Sequence, residues 1–159
     1  MDVYLVEDQP SLSLTYSAML TKLGYSAQTF SCPADFLDFM QSGRYQPPRL
    51  AILSDILMPG GSGYYLMSEV RKEYPQQKFI MLSATPMEEH ADDFACMYFC
   101  KPVSLERLQA ALALLEQCVM CGQQGLSEQC EQVDDRQVFP VEGWRCPNQS
   151  ECGDDAPRV

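Results

Sequence analysis

Asp55-Ile56-Leu57-Met58-Pro59-Gly60-Gly61-Ser62-Gly63 decides how this chain folds, because of what precedes it and what matches it elsewhere. The run Leu50-Ala51-Ile52-Leu53-Ser54 leads into it, short and apolar enough for a buried strand that ends on a carboxylate. Three other apolar runs likewise end on a polar or charged side chain, acidic, hydroxyl or basic. Val3-Tyr4-Leu5-Val6 leads into Glu7-Asp8, Phe79-Ile80-Met81-Leu82 into Ser83-Ala84, and Met97-Tyr98-Phe99-Cys100 into Lys101-Pro102. In an open parallel sheet, ligands bind beyond the carboxyl ends of the strands, so these groups are expected to converge on one small site.

The segments between the runs have helical spacing. Leu12, Tyr16, Met19, Leu20 and Leu23 form one apolar stripe, with Gly24 placed to end it. Phe36, Leu37 and Met40 mark a shorter helix opening after Cys32-Pro33. Tyr65, Leu66, Met67, Val70 and Tyr74 mark a third, stopped by Pro75. Leu105, Leu108, Leu112 and Leu115 make the last, with Ser104 near its start. Strand-like segments at 2–6, 25–30, 49–54, 78–82 and 96–100 alternate with these helices. The alternation predicts an α/β fold: five parallel strands with both faces of the sheet covered. Between Ser83 and Lys101 only 17 residues must hold a loop, a helix and a strand. The helix there, around 86–93, is expected to span only about two turns.

Glu7, Asp8 and Asp55 are costly neighbours without a cation, since close like charges force one carboxylate to stay protonated. A hard divalent ion with oxygen ligands relieves this, and Mg²⁺ suits one or two carboxylates plus waters and phosphate oxygens. Lys101 supplies a positive charge able to pair first with a carboxylate and then with a phosphoryl oxygen, and Ser83 supplies a hydroxyl. Asp55, at the central strand end, is placed to act as a carboxylate nucleophile toward phosphorus. Singly, each residue has a plainer role: a helix cap or turn for the acids and Ser83, a surface charge for Lys101. It is their order along a repeating strand–helix pattern that favours a shared site.

Over residues 1–119 the chain resembles the receiver domain of two-component response regulators. The matching stretches are Val6-Glu7-Asp8-Gln9-Pro10, the Asp55–Gly63 segment with its Pro four and Gly eight residues after the Asp, Leu82-Ser83-Ala84 and Cys100-Lys101-Pro102. The resemblance implies a doubly wound, flavodoxin-like five-stranded sheet of order 2-1-3-4-5, here with a shortened fourth helix. It implies phosphorylation of Asp55 by a sensor histidine kinase or phosphotransfer protein. It implies Mg²⁺ held by Asp8, Asp55 and the Leu57 carbonyl, with Glu7 assisting through water. Lys101 would contact the phosphoryl group, and Ser83 and Tyr98 would switch with it; Tyr98 also reads as a buried strand aromatic. Phosphorylation adds charge and acceptor oxygens that Ser83 and Lys101 can bind in one state only, biasing a two-state element. The shortened interval before Lys101 falls on a face that many receivers use for dimerisation or output.

Two rival readings come with the resemblance. One is a pseudo-receiver that binds partners without being phosphorylated, against which stand the intact acidic pair, Asp55 and Lys101. The other is an aspartyl-phosphate hydrolase, which generally needs a second acid two residues after its nucleophile, where this chain has Leu57. A phosphoacceptor signalling protein, rather than an enzyme, is the expectation.

With 159 residues, 46% of them apolar, the chain is long enough for one packed domain with an appendage. A net charge of −11 argues against a nucleic-acid surface, so the expected output is binding to an unidentified downstream protein. No run is long and apolar enough for a membrane span and no signal pattern opens the chain, so a cytoplasmic protein without membrane contact is expected. Residues 120–159 are polar and acidic and read as a disordered or loosely docked tail without a DNA-binding pattern. Among the eight cysteines, Cys32, Cys96 and Cys100 are expected to be small buried hydrophobes. Cys118 and Cys121 form one close pair, with Cys130, Cys146 and Cys152 beyond. A single tight pair favours reduced, inert thiols over a zinc site or a redox pair.

Overall fold

A computed structural model of the protein describes residues 1–84 and 97–124, with side chains placed as far as residue 116. The short helix expected around 86–93, Cys96 and the tail beyond 124 lie outside the described residues. Five strands, β1 (Val3–Val6), β2 (Ala27–Phe30), β3 (Ala51–Asp55), β6 (Phe79–Ser83) and β7 (Met97–Cys100), build one sheet. A two-residue pair, β4 (Leu57–Met58) and β5 (Gly61–Ser62), forms a separate antiparallel ribbon. The helices are α1 (Pro10–Lys22), α2 (Pro33–Gln41), α3 (Gly63–Glu73) and α4 (Leu105–Gln124).

Every pairing within the sheet is parallel, in the order β2-β1-β3-β6-β7, so β1 lies beside β3 as the expected order 2-1-3-4-5 requires. Central strands buried on both faces read as unbroken apolar runs, and alternate residues then serve opposite layers. Val3 and Leu5 pack with Tyr16 and Leu20 of α1 and with Leu108, Leu112 and Leu115 of α4. Tyr4 and Val6 turn the other way, onto Phe36 and Met40 of α2 and Leu66 and Val70 of α3. On this second face Tyr4, Phe30, Phe36, Phe39 and Tyr45 pack ring against ring, mostly edge to face, with centroids between 5.0 and 6.5 Å apart.

Local chemistry sets the helix starts. Proline opens α1 and α2, where its missing N–H has no intrahelical partner to lose. The Ser62 hydroxyl accepts from Tyr65 N at 3.1 Å to cap α3, and Ser104 accepts from Arg107 N at 3.3 Å to cap α4. Helix α4 continues past residue 119 to Gln124, so Cys118 and Cys121 fall within its last turns.

Two cysteines depart from the expectation of burial. Cys32 is half-buried, and its sulfur caps α2 by accepting from Asp35 N at 3.4 Å. Cys100 is exposed. It is the last residue of β7, at the carboxyl edge of the sheet, so the burial of the three residues preceding it does not carry over to its own position.

Candidate functional site

Strand register assembles the site. Val6 pairs with Ser54, which sets Glu7 and Asp8 beside Asp55. Asp55 pairs with Leu82, Ser83 pairs with Cys100, and Lys101 N donates to the Ser83 carbonyl at 2.7 Å. Residues distant in sequence therefore share the carboxyl edge of the sheet, as the four run-ends predicted.

The Lys101 ammonium lies 2.8 Å from Glu7 Oε2 and 2.7 Å from Asp55 Oδ2. Glu7 and Asp55 are buried, at 1% and 4% exposure, and Lys101 retains only a tenth of its side-chain surface. Gln9 N donates to Glu7 Oε1 at 3.2 Å, and Leu57 N to Asp55 Oδ1 at 3.3 Å. Burial pushes the Glu7 carboxyl above its usual range, more strongly than its hydrogen bonds from Lys101 and Gln9 pull it down. Burial acts against the Lys101 charge, yet hydrogen bonds to Asp55 and Glu7 prevail and hold the ammonium above its ordinary pKa.

One oxygen from each of Glu7, Asp8 and Asp55 lies within 4.8 Å of the others. Asp8 Oδ1 is buried and has no hydrogen-bond partner among the described residues. A buried, unpartnered carboxylate oxygen is costly, and three acids against one ammonium leave the cluster negative. An all-oxygen set with this charge fits a hard divalent cation such as Mg²⁺ and suits a soft, thiolate-seeking metal poorly. Ser83 is buried at the same edge, and Tyr98 is buried in the layer shared with α2 and α3. Leu57, by contrast, carries its side chain outward at 74% exposure, so only its backbone can serve the site.

The Asp55–Gly63 stretch forms a tight ribbon. Leu57 pairs with Ser62 and Met58 with Gly61, leaving Pro59 and Gly60 as the two corner residues. Gly60 has φ +85°, the left-handed value that the second corner of a type II turn demands, while proline suits the first. At Gly63, N donates to the Ile56 carbonyl at 2.9 Å, and the start of α3 lies directly on the end of β3. A Cβ at Gly63 would collide with the backbone carbonyl oxygen of Asp55 and sit 3.0 Å from Ser54 Oγ. Gly63→Ala is therefore expected to cost about 2–3 kcal/mol, because backbone rather than a flexible side chain must yield. A denaturant midpoint equal to that of the unaltered protein would show that α3 does not pack this closely.

Residues 3–113 match the family model for the response regulator receiver domain. The chain belongs to the response regulator receiver family. Among curated relatives of this receiver domain, the transcriptional regulatory protein TcrA of Mycobacterium tuberculosis is 26% identical over 117 residues, covering 71% of this chain and 45% of that one. DltR of Streptococcus agalactiae, also a transcriptional regulatory protein, is 28% identical over 122 residues, covering 72% of this chain and 51% of that one. The chain thus spans about half the length of the curated relatives it matches. Both are named as transcriptional regulators, so the expectation of no nucleic-acid partner, drawn from charge, finds no support in them.

Among solved structures, a receiver domain protein from Clostridium thermocellum is similar with a TM-score of 0.65 at 19% identity, covering 79% of this chain and 98% of that one. That likeness concerns the fold. TrrA of Thermotoga maritima, solved in complex with Mg²⁺-BeF, is 27% identical with a TM-score of 0.61, covering 72% of this chain and 99% of that one. The receiver fold accounts for the sheet order, and the signalling class of the domain follows from the family. No helix among the described residues is long and apolar enough to cross a membrane.

Sequence reading missed three features of this receiver domain. The β4–β5 ribbon was signalled only by Pro59-Gly60, and the close approach at Gly63 by nothing local. By spacing Tyr16 is one member of an apolar stripe, whereas its hydroxyl reaches the loop that carries Lys101: Val103 N donates to it at 3.5 Å.

Proposed function

We propose that this chain is a phosphoaspartate switch of a two-component phosphorelay, taking a phosphoryl group on Asp55 from a phosphohistidine of a sensor kinase or phosphotransfer protein. The observation that carries this reading is the Lys101 ammonium shared between Glu7 and Asp55 beside the three-carboxylate cluster. Asp8, Asp55 and the Leu57 carbonyl would hold Mg²⁺, with Glu7 assisting through water. Bound there, the ion neutralises the crowded carboxylates and the phosphoryl oxygens.

An Asp55 carboxylate oxygen attacks phosphorus, the P–N bond to the imidazole breaks, and the imidazole nitrogen leaves with the bonding pair. Lys101 compensates the charge on the phosphoryl oxygens from a position it already occupies, which spares reorganisation during transfer. Ser83 then gains a phosphoryl oxygen as a hydrogen-bond acceptor, and Tyr98 repacks on the α2–α3 side. The product differs from the starting state by charge and acceptors, and the altered surface changes which protein it binds. Residues 1–119 form the phosphoacceptor unit in this reading, and 120–159 an appendage.

The test is intact-mass analysis of the full chain with acetyl phosphate. With Mg²⁺, the protein should gain one phosphoryl group, stable in acid and labile in base. With the ion removed by chelation, the gain should fall at least about tenfold, since the carboxylates then repel the incoming phosphate. No labelling with the ion present would leave the pseudo-receiver reading in its place, while undiminished labelling without it would remove Mg²⁺ from the reaction.

A further inference from the structure

We infer that Tyr16 is a positioning residue for Lys101, its hydroxyl pinning the turn that delivers the ammonium to the site. This inference rests on the phosphoacceptor reading above. Tyr16 is 1% exposed on the inner face of α1 and packs in the same apolar layer as Phe99, Val103 and Leu108. An aliphatic side chain would suit that layer. A buried hydroxyl is costly unless it is hydrogen-bonded, and so is a buried backbone N–H.

The two groups answer each other, because the Val103 N–H, from a residue 4% exposed, donates to the Tyr16 hydroxyl at 3.5 Å. Pro102 has no N–H, so Val103 supplies the first backbone donor after that of Lys101. The segment Lys101-Pro102-Val103 is thereby held at both ends. Lys101 N donates to the Ser83 carbonyl on β6, and Val103 N to Tyr16 on α1. From between these two anchors the lysine side chain reaches Glu7 and Asp55. At 3.5 Å the bond is long, and its value lies in geometry: it ties a loop to a helix fixed on the sheet.

Loosening one anchor lets the ammonium drift from the line of phosphoryl transfer. Tyr16→Phe keeps the ring that fills the core and removes only the anchor. The control is Tyr4→Phe, a second buried phenol, whose hydroxyl donates to the Gln46 carbonyl at 3.1 Å on the other face of the sheet. The rate of labelling of the full chain by acetyl phosphate at saturating Mg²⁺ is followed by intact mass, with denaturant midpoints measured alongside.

Tyr16→Phe should label about three- to tenfold more slowly, a loss in keeping with a sub-ångström displacement of a reacting group, while Tyr4→Phe labels at the unaltered rate. Combined with Lys101→Ala, Tyr16→Phe should add no further loss, because its effect passes through the lysine. An ester in place of the Val103 amide, which removes the N–H and leaves the phenol, should reproduce the slower rate and serves if Tyr16→Phe does not fold. Unaltered labelling in these single variants, or losses that multiply in the double variant, would overturn the role of Tyr16. Failure of the unaltered protein to label at all would instead bring down the phosphoacceptor reading, and this inference with it.

Discussion

Asp55→Asn should receive no phosphoryl group from acetyl phosphate and Mg²⁺ under conditions that fully label the unaltered chain, a drop of at least about a hundredfold in rate. An amide oxygen is a poor nucleophile toward phosphorus, whereas the substitution is almost isosteric. The geometry should survive, since an asparagine oxygen can still accept from Leu57 N, the bond that Asp55 Oδ1 makes at 3.3 Å. The variant should be no less stable than the parent in the absence of metal. One of three crowded carboxylates is gone, and Lys101 keeps Glu7 as its partner at 2.8 Å. Mg²⁺ should bind about tenfold more weakly, an effect of about 1.4 kcal/mol for one ligand charge removed. Intact mass and denaturant midpoints with and without Mg²⁺ report all three effects. Labelling of the variant at the parental rate would move the acceptor to another residue.

That this prediction can be written from Asp55 outward reflects how much of the site is visible in one dimension. A parallel sheet places successive strand ends along a single edge, so residues following the apolar runs are brought together by topology alone. Glu7, Asp8, Asp55, Ser83 and Lys101 were legible for that reason, and the register of β1, β3, β6 and β7 sets them side by side. Two-sided burial was legible too, because the central strands carry unbroken apolar runs where a one-sided sheet would alternate.

What escaped depends on contacts made across the fold rather than along it. Gly63 resembles any turn glycine until α3 is seated against the Asp55 carbonyl. Tyr16 resembles any stripe residue until the Val103 N–H reaches it across 87 positions. Cys100 sits in an apolar run, yet as the terminal residue of β7 it faces solvent. Pattern reports which face a residue serves, while its polar partner is chosen by whichever loop the tertiary structure brings overhead.

Lys101→Ala should lower metal-free stability by about 3 kcal/mol, the usual cost of removing one partner from a buried ion pair. The lysine stands between Glu7 Oε2 and Asp55 Oδ2, and no other basic side chain among the described residues forms an ion pair with either acid. Without it, two buried carboxylates and the half-buried Asp8 confront one another with no positive charge among them. The stability regained on adding saturating Mg²⁺ should accordingly be larger in the variant than in the parent, because the ion then meets more uncompensated charge and no competing ammonium. Labelling tells the opposite story. The cation that should accompany the phosphoryl oxygens is absent, and the rate at saturating Mg²⁺ should fall about a hundredfold, as expected when one preorganised charge is deleted from a transfer site. Denaturant titrations with and without Mg²⁺, beside single-turnover labelling, separate the two effects. A variant as stable as the parent without metal would mean that Glu7 and Asp55 do not depend on Lys101. A variant that labels at full speed would mean that the lysine is structural, and that the ion alone carries the charge of transfer.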